Sequence, residues 1–104
     1  MTQTVSAGAP RNLGKPGLVF FHSLVSGRCR RVDGFLAQVL QRRHNHSTFR
    51  LYRVAKERRP DLVERFAVET LPTLVVVESK AVRGRLIAPT SCAEIEEFLG
   101  PWLN

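Results

Sequence analysis

Ser26-Gly27-Arg28-Cys29 is the segment of this chain whose residue types and spacing best suit chemistry. Apolar residues recur at Cys29, Val32, Phe35, Leu36, Val39 and Leu40, the spacing of a helix with one buried face. Ser26 suits the N-cap, where its hydroxyl can accept from an orphan backbone N–H, and Cys29 falls one turn inside. A helix start ringed by Arg28, Arg30 and Arg31 can take an anion, and it favours the thiolate of any cysteine that is accessible there. Against this, Cys29 shares the stripe of Val32 and Leu36, where a free cysteine acts as a small buried hydrophobe. An isolated serine hydroxyl is a poor nucleophile without a base, and nothing in the sequence places His22, His44 or His46 beside Ser26. Cys92 falls in the first turn of a later helix and reads as a bystander. No metal and no cofactor is expected.

These residues need elements to hold them. Leu18-Val19-Phe20-Phe21 is a short continuous apolar run, as expected of a central strand buried on both faces. Thr48 to Val54 alternates and predicts a second strand. Pro60 opens a short helix through Leu62, Val63 and Phe66. Leu74 to Val77 is a β-branched strand, Ser79-Lys80 a tight turn, and Val82 to Ile87 the return of a hairpin. A last helix opens at Ser91, with Glu94 completing a capping box, and runs to Gly100-Pro101. The order is β-α-β-α-β-β-α. Residues 1–16 show no periodicity and read as a flexible tail, leaving 17–104 as the domain.

The chain has 104 residues and is 43% apolar, enough for one core without staples. No stretch reaches the roughly 18 apolar residues of a membrane span, no signal core precedes Gly17, and two cysteines are too few for a secreted framework. A soluble, cytoplasmic protein is expected. The formal charge of +7 is concentrated between residues 28 and 65, with 11 Lys/Arg against 4 Asp/Glu. Such an excess suits acidic partners. With 13 Arg to 3 Lys, it is equally what an Arg-rich coding bias would leave on a solvated face.

A strand leading at once into a helix start with a cysteine tetrapeptide, then Phe66-Ala67-Val68-Glu69-Thr70-Leu71-Pro72-Thr73-Leu74 before a hairpin, resembles the thioredoxin family. The resemblance covers residues 17–103. It implies a thioredoxin-like α/β fold with a four-stranded mixed sheet, lacking the family's N-terminal strand and helix. It also implies a cis peptide at Leu71-Pro72, beside which an extended partner segment can add like a strand. Working members carry Cys-x-x-Cys. Here Ser26 stands at the attacking cysteine, Cys29 at the resolving one, Val25 at the usual tryptophan, Phe20 at a commonly buried acid, and Arg28 at the usual proline.

Three functions follow. The leading one is a redox-impaired module that binds a protein or peptide, acidic by preference, in a groove of Val25, Gly27, Thr70, Leu71, Pro72 and Ile87 rimmed by Arg28 and Arg30. The second is an enzyme, a monothiol oxidoreductase using Cys29 with a low-molecular-weight thiol whose carboxylates sit on Arg28 and Arg30. The third is nucleic-acid binding by the basic stretch Arg42 to Arg59, for which no base-reading motif or aromatic interleaving is present. Trp102 and Tyr52 read as packing residues.

Overall fold

In the computed structural model the described residues are 15–42, 45 and 47–103. The tail through Gly14, and with it His44 and His46, lies outside them. Lys15 and Pro16 are described, and Pro16 is buried with its carbonyl accepting from the Arg50 N–H at 2.9 Å. Pro16, assigned above to the tail, is therefore tied to the start of β2.

The elements are β1 (Gly17–His22), α1 (Gly27–Gln41), β2 (Arg50–Ala55), α2 (Pro60–Arg65), β3 (Thr73–Glu78), β4 (Ala81–Ile87) and α3 (Cys92–Leu99). They build one sheet in the order β2-β1-β3-β4. β1 runs parallel to β2 and antiparallel to β3, and β3 runs antiparallel to β4, so the sheet is mixed. The family's further N-terminal strand and helix have no counterpart among the described residues.

The continuous apolar run becomes β1, second from one edge, because alternate residues must serve two faces. Leu18 and Phe20 join Leu74 and Val76 under α1 and α3, which contribute Val32, Leu36, Val39, Ile95 and Leu99. Val19, Phe21 and Val75 form the opposite face with Val54 and Val68, covered by Leu62, Val63 and Phe66 from and beside α2. Burying each large side chain of this kind contributes roughly 1.5–3 kcal/mol. The β3–β4 turn puts Ser79 and Lys80 at φ 54° and 67°. Positive φ at both central residues lets a two-residue turn match the twist of its strands. Gly84 lets the Phe98 ring lie close to β4, since a Cβ there would sit 3.2 Å from that ring and the ring would have to give by a few tenths of an ångström.

Two local expectations shift. β2 begins at Arg50 and not Thr48, because Phe49 leaves the strand for the core and meets Trp102 edge-on at 6.4 Å. The Thr48 hydroxyl donates instead to Asn45 Oδ1 at 2.7 Å in the preceding turn. At α3, Ser91 Oγ accepts from the Glu94 N–H at 3.2 Å as a capping box requires. The reciprocal arm differs, since the Glu94 carboxylate takes the Thr90 N–H at 2.6 Å.

Candidate functional site

The C-terminal end of β1 feeds the loop Ser23–Ser26, and the loop feeds α1. Ser26 is the N-cap, in extended backbone, and its Oγ accepts from the Cys29 N–H at 3.2 Å. This consumes a lone pair of the hydroxyl in holding the helix start together. Cys29 is 2% exposed, and its sulfur accepts from the Ser23 N–H at 3.4 Å. Cys29 and Cys92 are both free, and the Cys92 thiol donates to Gln38 Oε1 at 3.1 Å across the α1–α3 contact. The His22 ring stacks on Phe20 with centroids 5.1 Å apart, and among the described residues no hydrogen bond joins it to Ser26.

The loop is fixed by a residue that sequence reasoning missed. Glu57, just after β2, accepts from the Ser23 hydroxyl at 2.5 Å and from the Leu24 N–H at 3.1 Å. Ser23 Oγ in turn accepts from the Val25 N–H at 3.3 Å. The Ser23 bond first, then the Leu24 N–H, hold the Glu57 carboxyl below the usual glutamate range. The strands carry this link, since the Lys56 N–H donates to the His22 carbonyl at 2.9 Å and brings the β2 exit beside the β1 exit. No local pattern marks a bond spanning 34 residues.

Across the site, the Leu71-Pro72 peptide is cis. Pro72 is buried, Leu71 packs half-buried on the cluster of Val19 and Phe21, and Thr70 is exposed. The Ala88 N–H donates to the Pro72 carbonyl at 2.8 Å, tying the β4 exit to this segment. Ile87 is 58% exposed and Val25 is 83% exposed, large apolar side chains left in solvent at this end of the sheet.

Arg28 and Arg30 do not form one rim. Residues two apart on a helix point to different sides, whereas three apart share one. Arg28 accordingly joins Arg31 in a cleft of about 300 Å³ between α1 and the segment Ala88-Pro89-Thr90, walled by Val32 and Phe35. Arg30 lines a separate cleft of about 220 Å³ with His22, Ser23, Leu24, Cys29 and Asp33. The Arg30 guanidinium also lies over Gly27, 3.8 Å from where a Cβ would sit. In the basic stretch, Arg42, Arg53 and Arg59 face Glu96, Asp33 and Asp61 at 3.1, 2.9 and 2.9 Å. Among the described residues no group of three His, Cys, Asp or Glu side chains could hold a metal, and no helix is long and apolar enough to cross a membrane.

A family model described as thioredoxin matches residues 11–100. No curated protein sequence matches the chain. Among solved structures, Trxlp from Edwardsiella tarda superposes with a TM-score of 0.74 at 22% identity, covering 83% of this chain and 82% of that one. Fasciola hepatica thioredoxin gives 0.74 at 16% identity, covering 88% and 84%. Oxidised mitochondrial thioredoxin 3 from Saccharomyces cerevisiae gives 0.72 at 18% identity, covering 85% and 79%. At these identities the likeness is one of fold.

Proposed function

Because this chain belongs to the thioredoxin family, whose model matches residues 11–100, we propose that it is a redox-impaired cytoplasmic member that binds a protein partner rather than turning over disulfides. The observation that carries this reading is the use made of the motif. Ser26, at the position of the attacking thiol, serves as a helix cap, and Cys29, at the resolving position, is 2% exposed. A thiol-disulfide exchange starts with an accessible thiolate, and neither residue supplies one.

The binding surface proposed is the end of the sheet where Val25 and Ile87 stand in solvent beside Thr70, Leu71 and Pro72, with Gly27 and Arg28 at the helix start. An extended segment laid there gains main-chain hydrogen bonds and shallow apolar contact, neither of which needs a thiol. In a display selection of random heptapeptides, the wild-type protein is expected to enrich peptides with a fixed apolar position, and Ile87→Glu to abolish that enrichment. Enrichment untouched by Ile87→Glu overturns the proposed groove.

Native alkylation separates this function from the monothiol alternative. Iodoacetamide is expected to label the half-buried Cys92 first and Cys29 only when the chain unfolds. A native Cys29 that reacts faster than Cys92 would instead favour monothiol chemistry. For the nucleic-acid reading, Arg42, Arg53 and Arg59 of the basic stretch are already engaged by acids, which leaves Arg50, Lys56 and Arg58 among its described residues to meet a phosphate backbone.

A further inference from the structure

We propose that the cleft between α1 and the Ala88–Thr90 segment is a subsite for an acidic side chain, an Asp or Glu of the partner segment whose apolar residue lies on Ile87; this rests on the groove reading above. Four arginines of the described chain have an acid within reach: Arg42, Arg53, Arg59 and Arg83 face Glu96, Asp33, Asp61 and Glu78. Arg28 and Arg31 are among the described arginines that have none, and what sets the two apart is that they line one cleft of about 300 Å³ whose lining contains no carboxylate. Two like charges three residues apart on a helix repel each other. A carboxylate placed between them removes that repulsion and replaces it with charge-assisted hydrogen bonds, which the forked guanidinium can give two at a time.

The rest of the cleft limits what can enter. The donors of Thr90 are already used, its N–H and hydroxyl both donating to Glu94 Oε1 at 2.6 and 3.3 Å. The Ala88 N–H is committed to the Pro72 carbonyl. Val32, Phe35 and Pro89 supply apolar walls. The donors left for a ligand are the two guanidiniums, against an apolar flank that suits the methylenes of Asp or Glu. Glu94 touches the rim through Thr90, and its charge tempers the site without filling it. Ile87 adjoins Ala88 in the chain, so an extended segment crossing Ile87 can reach the cleft with a neighbouring side chain.

The heptapeptide selection tests this when run on wild type, Arg31→Glu and Arg31→Gln. Arg31 is exposed, so both variants should keep the wild-type circular dichroism. Wild type is expected to enrich Asp or Glu at one fixed distance from the apolar position. Arg31→Glu should lose the acidic position while keeping the apolar one, and should weaken a selected acidic peptide on the order of tenfold at low salt, with Arg31→Gln intermediate. Apolar enrichment without any acidic position overturns the subsite and leaves the groove standing. An acidic position that survives Arg31→Glu places the acid elsewhere and also overturns it. No enrichment at all with wild type removes the groove and the subsite together.

Discussion

Ser26→Cys is expected to close a disulfide with Cys29 under mild oxidant and to reduce insulin with dithiothreitol as electron donor, whereas the wild-type protein stays at the background rate. The introduced thiol would stand at the N-cap of a 15-residue helix, where the N–H groups and macrodipole favour a thiolate. It attacks an insulin sulfur and releases the other as a thiolate. Cys29, one turn inside, then attacks the mixed disulfide, and dithiothreitol returns the electrons. Burial of Cys29 does not prevent this second step, since its target would be delivered to it from the position now held by Ser26, whose Oγ already bonds the Cys29 N–H. The rate should rise on the order of tenfold or more, the difference between a thiolate and an unactivated hydroxyl. The substitution gives up a cap worth roughly 1 kcal/mol, which the fold should tolerate. No disulfide under mild oxidant would mean that positions 26 and 29 are not in redox geometry, and wild-type turnover equal to the variant's would refute the loss of function.

Phe20→Ala is expected to be the most damaging conservative truncation in the chain. Phe20 is 1% exposed in the central part of the sheet, paired with Leu74 on one side and Arg53 on the other, and its ring carries His22. Emptying such a site costs about 3–5 kcal/mol, set against a total stability on the order of 5–15 kcal/mol for a domain of this kind. The urea midpoint should fall in proportion with the slope unchanged. Phe20→Asp, which installs the acid that working relatives commonly bury, should cost at least as much, because it loses the same ring packing and also takes a carboxylate out of water at a position that is 1% exposed. A loss below about 1 kcal/mol for Phe20→Ala would mean that this face of the sheet repacks, contrary to a close-packed core.

What could be read from the sequence was whatever has a short period or a local cap. Leu18 to Phe21 and Leu74 to Val76 are all buried, and the α1 stripe is right at Cys29, Val32, Leu36, Val39 and Leu40. Ser26 and Ser91 both cap as their positions predict, because a cap depends on residues three apart. The misreadings are contacts between distant elements. Phe49 looks like a strand residue until Trp102 is brought beside it. Glu57 sits among charged neighbours and differs from them only through where the β2 exit ends. Nearness in sequence groups Arg28 and Arg30 as one rim, whereas the helix turns them into separate clefts and gives Arg28 the company of Arg31.

The Glu57 carboxylate bears on the thermodynamics of recognition. By gripping the Ser23 hydroxyl and the Leu24 N–H it arrests the segment that presents Val25, independently of which residue occupies position 26. A surface that is already rigid forfeits little conformational entropy when occupied. The motif could therefore exchange sulfur for oxygen without the presenting loop softening, and a ligand would meet it nearly as a lock meets a key, with little rearrangement of the backbone on complex formation.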